Sequence, residues 1–198
     1  MRICGGHAMA KKIILIEGYL ASGKSTFALR LSRQTGIPYL MKDTFKSALC
    51  EKASIPDREA RSLFSAITFD AMMYVTERMF EVGQPIILEG NFAPAGVKST
   101  DEAGVIRQLI EAYRYTPLTF KFEGDTRVLY KRFVEREKTP ERGLANQIGH
   151  DISYETFDGW CHGLDSFDAG GEIVRVDTTD FSKVDFESCI ALAQRFMG

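Results

Sequence analysis

Four consecutive apolar residues, Ile13-Ile14-Leu15-Ile16, lead almost directly into Gly18-Tyr-Leu-Ala-Ser-Gly23-Lys24-Ser25, and this junction constrains the fold more than any other part of the chain. An apolar run without polar alternation suits a strand buried on both faces, as in the middle of a parallel sheet. The G-x-x-x-x-G-K-S spacing after it is that of a phosphate-binding loop. Its glycines let the backbone curl so that successive N–H groups converge, and the following helix adds the positive end of its dipole. Residues 23 to about 35 supply that helix, and Gly36-Ile37-Pro38 stops it. Gly18, Tyr19, Leu20, Ala21, Ser22, Gly23, Lys24, Ser25 and Thr26 are therefore expected to cradle the phosphates of a nucleoside triphosphate. Lys24 would reach the β- and γ-phosphates, and the Ser25 hydroxyl would sit on Mg²⁺.

The rest of the pattern extends this junction into an alternating fold. At 198 residues and 44% hydrophobic, the chain can bury the core of one α/β domain. Strands are predicted over Lys12–Glu17, Tyr39–Met41, Pro85–Glu89, Pro117–Phe122 and Glu172–Val176. Helices are predicted over 57–81, 101–113, 126–138, 153–165 and 181–197, with a turn or helix over 44–50. In the long helix, Leu63, Ile67, Ala71, Tyr74 and Val75 fall at helical spacing. No repeat and no long linker interrupts the series. The reading is a single domain over 11–198, a doubly wound, mostly parallel sheet with helices on both faces. Ligands of such sheets collect at the carboxyl ends of the strands.

Polar residues at those ends form a short set. The second strand ends at Asp43, the third at Glu89-Gly90-Asn91, and the fifth at Asp177-Thr178-Thr179. Glu89 would hold a Mg²⁺-bound water, because a hard dication takes oxygen ligands and keeps several waters. Asp43, ionised at neutral pH, would accept a proton from a substrate hydroxyl attacking the γ-phosphate. Lys46, three residues on, and Asn91 would contact the substrate, and Thr178 would border the nucleotide. A basic group follows: Arg127, Lys131, Arg132 and Arg136, with Arg142 in the next Gly-containing segment. Arg132 and Arg136, four apart on a helix, would close on one phosphate group from two directions. The region from about 126 to 151 then acts as an arginine lid, with Arg142 reaching the substrate.

On these residues the chain resembles the P-loop kinases of the nucleoside monophosphate kinase superfamily. The closer likeness is to the small-molecule branch, with zeta-toxin-like kinases, chloramphenicol phosphotransferase and many uncharacterised bacterial kinases. The elements that carry it are Gly18–Ser25, Asp43, Leu88-Glu-Gly-Asn91 and Arg132-x-x-x-Arg136. The resemblance implies a five-stranded sheet of order 2-3-1-4-5, ATP and Mg²⁺ as cofactors, and a small-molecule hydroxyl acceptor. It also implies phosphate-holding lid arginines and a short lid-end element at Gly149-His150-Asp151. The chain departs from the monophosphate kinases in carrying Glu89 where an aspartate is commoner, and it shows no recognisable nucleobase-monophosphate pocket.

Other classes leave weaker traces. A guanine-binding N-K-x-D is absent, and Asp101-Glu-Ala-Gly104 follows a loop rather than a strand. A slowly hydrolysing nucleotide switch and a toxin kinase acting on a nucleotide sugar remain alternatives. Transfer of phosphate to a hydroxyl compound, rather than only to water, separates a kinase from the switch. The toxin kinase differs only in its acceptor pocket, expected from Asp57–Tyr74 and Asn91–Lys98. A net charge of −2 with mixed signs argues against nucleic-acid or membrane-surface binding. The apolar runs are too short for a bilayer. Cys4, Cys50, Cys161 and Cys189 form no C-x-x-C pair, which suggests reduced thiols in a cytoplasmic protein; a monomer or homodimer is expected. Residues 1–10 read as a flexible leader.

Overall fold

The computed structural model describes residues 11–51, 53, 58–98, 100–139 and 152–198. The expected leader, Arg142 and Gly149-His150-Asp151 lie outside these residues. The strands are β1 (Lys12–Gly18), β2 (Tyr39–Met41), β3 (Ile86–Glu89), β4 (Thr116–Glu123) and β5 (Glu172–Asp177). The helices are α1 (Lys24–Thr35), α2 (Lys42–Cys50), α3 (Arg58–Glu81), α4 (Glu102–Tyr113), α5 (Thr126–Glu137), α6 (Tyr154–His162) and α7 (Phe186–Met197). The sheet order is β2-β3-β1-β4-β5, with every pairing parallel. This is the expected order.

β1 lies in the middle because its side chains feed both layers. Ile13 and Leu15 join a core with Phe69 and Met72 of α3 and Ile106 of α4. Ile14 and Ile16 join another with Phe27 and Leu31 of α1 and Ile190 of α7. A third, smaller cluster sets Tyr19 of the phosphate loop among Leu129 and Phe133 of α5 and Phe157 and Cys161 of α6. Among the described residues, no helix is long and apolar enough to cross a membrane. Cys50, Cys161 and Cys189 are free thiols.

Three local expectations change. α2 begins at Lys42, so Asp43 occupies the first helical turn rather than the end of a strand. The helix drawn over 181–197 is broken: Phe181–Lys183 is a single 3₁₀ turn, and α7 starts after Asp185, whose carboxylate accepts from the Ser188 N–H. An aspartate there caps a new helix better than it continues an old one. In α3 the core face is Phe69, Met72, Met73 and Phe80, whereas Leu63, Ile67 and Tyr74 are 59%, 44% and 63% exposed. The apolar residues of that helix are spread around it among charged ones, so its spacing alone picks no face.

Candidate active site

The phosphate loop turns on left-handed backbone at Gly18 and Gly23, with Ala21 also at φ 58°. Gly18 has φ 123°, and a Cβ there would lie 2.0 Å from the Phe122 carbonyl oxygen. β1 and β4 are therefore closed tightly at the point where the chain leaves the sheet. The Tyr19 N–H donates to that same oxygen at 2.8 Å. Gly23, at φ 87°, takes the N-cap position of α1, and no side-chain hydrogen bond closes the first turn of that helix. Its N–H groups face the loop with the helix dipole behind them.

Lys24 is buried and curls back over the loop, donating to the Gly18 carbonyl at 2.9 Å and to the Tyr19 carbonyl at 2.6 Å. Ser22 Oγ donates to the same Tyr19 carbonyl at 2.7 Å. Burial pulls the Lys24 ammonium below its ordinary pKa, opposed by the charges of Glu89, Glu17 and Asp43. Glu89, at the end of β3, is buried, and burial raises its carboxyl to about 7. The Lys24 charge and a Ser25 hydroxyl hydrogen bond work against that rise. Ser25 and Glu89 thus meet as a hydroxyl and a carboxylate beside a lysine. Oxygen donors of this kind, a hydroxyl beside a buried carboxyl group, suit Mg²⁺.

Asp43, exposed at the start of α2, perturbs both Lys24 and Glu89 electrostatically. Arg136 does the same from α5. Four of the expected site residues therefore share one electrostatic neighbourhood. Lys46 stands one turn along α2 from Asp43, and Asn91 follows Gly90 directly after β3; both are half-buried. Thr26 is exposed in the first turn of α1.

Arg132 and Arg136 do not converge on one point. Arg132 donates to the Thr178 carbonyl at 2.6 Å and to the Thr179 carbonyl at 2.8 Å. Its guanidinium lies 4.1 Å from the centroid of the Phe181 ring, and that ring also packs against Gly23. Arg132 thus faces the loop after β5, while Arg136 faces Lys24 and Glu89. Thr178 is buried with its hydroxyl on the Glu123 carbonyl, so it reaches the site through its backbone. Asp177 turns away to cap the Thr179 N–H. Arg127 stacks on Tyr154 at 4.7 Å, away from this neighbourhood.

Several residues near the site escape sequence reasoning. Lys42 and Glu102 form a buried ion pair, and Glu102 also accepts from the Ala93 N–H at 3.0 Å. Lys42 lies over the rings of Phe69 and Phe92 at 5.3 and 5.9 Å, and burial lowers its ammonium to about 8. Beneath the loop, Glu17 and Lys121 are fully buried cross-strand neighbours with Nζ 3.5 Å from Oε1. A lone lysine inside the apolar run of β4 had to find an anion or carbonyls, and that is the one available sign. The Lys42–Glu102 pair joins positions 60 residues apart and leaves no trace in spacing.

No protein-family model and no curated protein sequence matches the chain. Solved structures match along nearly its whole length. A suspected kinase from Chloroflexus aurantiacus superposes with a TM-score of 0.83 at 20% identity, over 96% of this chain and all (100%) of that one. A sugar kinase from Janibacter sp. gives a TM-score of 0.58 at 15% identity, over 95% of this chain and 96% of that one. A gluconokinase from Sinorhizobium meliloti gives 0.55 at 16% identity, over 96% and 95%. The fold is that of the P-loop kinases. At such identities the likeness establishes architecture, and it agrees with the resemblance drawn from the phosphate loop.

Proposed function

We propose that this protein is a kinase that transfers the γ-phosphoryl group of ATP, with Mg²⁺, to a hydroxyl of a small molecule. The observation that carries the reading is the shared neighbourhood of Lys24, Asp43, Glu89 and Arg136 at the carboxyl end of the sheet. A passive nucleotide binder needs the first and third of these. It has no use for an exposed carboxylate on the β2 side, where an acceptor would enter.

The roles follow from position. The loop N–H groups and the α1 terminus hold the phosphates, and Lys24 exchanges its two loop carbonyls for phosphate oxygens. Ser25 and Glu89 would hold Mg²⁺, which neutralises charge on the β- and γ-phosphates when bound. Asp43 takes the acceptor's hydroxyl proton as that oxygen bonds to the γ-phosphorus and the bond to the ADP oxygen breaks. Arg136 and Lys24 offset the charge spread over the transferring group. Arg132, held by the Thr178 and Thr179 carbonyls, shapes the nucleoside side with Phe181. Lys46 and Asn91 border the acceptor. With this reading we propose a small acceptor, no nucleic-acid or membrane partner, and a monomer or homodimer working in the cytoplasm.

The neighbours' names put sugars and sugar acids first among acceptors to try. Incubation with Mg-ATP and a panel of polyols, sugars, sugar acids and hydroxylated antibiotics, followed by phosphorus NMR, tests the proposal. A new phosphomonoester supports it. Inorganic phosphate alone, at one rate with every compound, returns the protein to the nucleotide-switch reading.

A further inference from the structure

Tyr19 occupies the second position of the phosphate loop, where only the backbone is needed to meet phosphate. Its side chain nevertheless sits at the centre of a built contact. The ring is buried among Leu129 and Phe133 of α5 and Phe157 and Cys161 of α6. The hydroxyl donates to Asp165 Oδ1 at 2.7 Å and lies 3.2 Å from His162 Nδ1. His162 Nδ1 in turn lies 2.9 Å from Asp165 Oδ2, and its ring meets Tyr19 edge-on at 5.7 Å. The segment is pinned to the sheet as well: Lys121 Nζ donates to the Leu164 and Asp165 carbonyls at 3.1 and 2.7 Å.

α6 is in turn fastened to α5. Thr126 Oγ1 donates to Asp158 Oδ1 at 2.5 Å and lies 2.8 Å from the Tyr154 hydroxyl. Tyr130 donates to the Ile152 carbonyl at 2.7 Å, and the Phe133 and Phe157 rings are 5.2 Å apart. α5 and α6 therefore form one packed unit, and Tyr19 is the loop side chain that enters it. The same residue's carbonyl is where Lys24 rests. One tyrosine thus joins the resting place of the lysine to the helix that bears Arg132 and Arg136.

We infer that Tyr19, through Asp165, is a positioning residue that sets Arg136 of α5 in register over the phosphate loop. The inference rests on the kinase reading of that loop. An ordinary core tyrosine would contribute only packing, which phenylalanine supplies equally. A register role requires the hydroxyl bond to Asp165, a residue that is itself exposed and adds little to the core.

The test needs no acceptor. Affinities for Mg-ADP alone and for Mg-ADP with aluminium fluoride, which imitates the transferring phosphoryl group, are measured by calorimetry. Asp165→Ala should leave Mg-ADP affinity within about twofold and weaken the fluoride complex about 5- to 10-fold, the scale of coupling between connected groups. Tyr19→Phe should lower the ratio of the two affinities by a similar factor. In an Arg136→Ala background neither substitution should lower that ratio further, because the arginine it registers is gone. Equal loss of both complexes in Tyr19→Phe and Asp165→Ala, or effects that add to that of Arg136→Ala, would overturn the inference and leave Tyr19 as packing. If the unaltered protein binds neither complex, the phosphate-loop reading itself fails, and the inference with it.

Discussion

Arg132 and Arg136 lie on one helix and, on the proposed reading, serve two ends of the nucleotide. Arg136 shares an electrostatic neighbourhood with Lys24 and Glu89, which is why the proposal sets its charge against the transferring group. Arg136→Ala is expected to lower kcat about 100-fold or more with little change in the KM for ATP. Arg132 is spent on the Thr178 and Thr179 carbonyls and the Phe181 ring. Arg132→Ala should instead raise the KM for ATP about tenfold, with a smaller loss in kcat. Steady-state kinetics of both variants checks this division, and equal kcat losses would return the arginines to a joint role. Glu17 is a different kind of residue. Burial raises its carboxyl to about 7, with the charges of Lys121 and Lys24 opposing. Its folded pKa thus exceeds its unfolded value of 4.5, and the native state holds the proton more tightly between those two values. Stability from this group is present below pH 4.5 and is lost as pH rises through 7. Urea unfolding at pH 5 and pH 8 should show the unaltered protein losing about 1–3 kcal/mol more than Glu17→Gln across that interval. Parallel curves would contradict the burial argument.

At the scale of elements, the acceptor side is held by one buried pair. Glu102 opens α4, receives Lys42 from the first turn of α2, and accepts from the Ala93 N–H in the loop after β3. The pieces that carry Asp43, Lys46 and Asn91 are thereby tied together. Lys42→Met leaves Glu102 buried without its nearest cation, at a cost of about 3 kcal/mol or more. Lys42→Met with Glu102→Leu should recover at least half of that loss, because a buried ion pair adds little net stability over apolar groups of similar size. Chemical denaturation measures both, and an unaffected single variant would show that the pair is not what holds the elements. The elements themselves are largely readable from the chain, since β1, β3 and β4 are apolar runs and Gly36 and Gly83 end helices. The inward face of α3 is not, because leucine, isoleucine and tyrosine stand on its outside as well. The break before α7 carries a local sign instead, since Asp185 is a helix-capping residue whose carboxylate accepts from the Ser188 N–H.

For the molecule as a whole, the parallel order β2-β3-β1-β4-β5 gathers residues from distant parts of the chain at one end of the sheet. The phosphate loop was readable because its chemistry is local, confined to eight consecutive residues. Asp43 and Glu89 were readable because each follows an apolar strand. The Lys42–Glu102 and Glu17–Lys121 pairs and the Tyr19–Asp165 bond were not, since each depends on a fold that brings distant positions together. The central claim is that Asp43 makes this end of the sheet a kinase site and not merely a nucleotide site. Its most direct test follows γ-labelled ATP in the unaltered protein and in Asp43→Asn, with the acceptor panel present, counting label in phosphomonoester and in inorganic phosphate separately. The account predicts that transfer to the acceptor falls about 10²- to 10⁴-fold while release of inorganic phosphate falls far less. Equal falls in both, or a fall in neither, would contradict it.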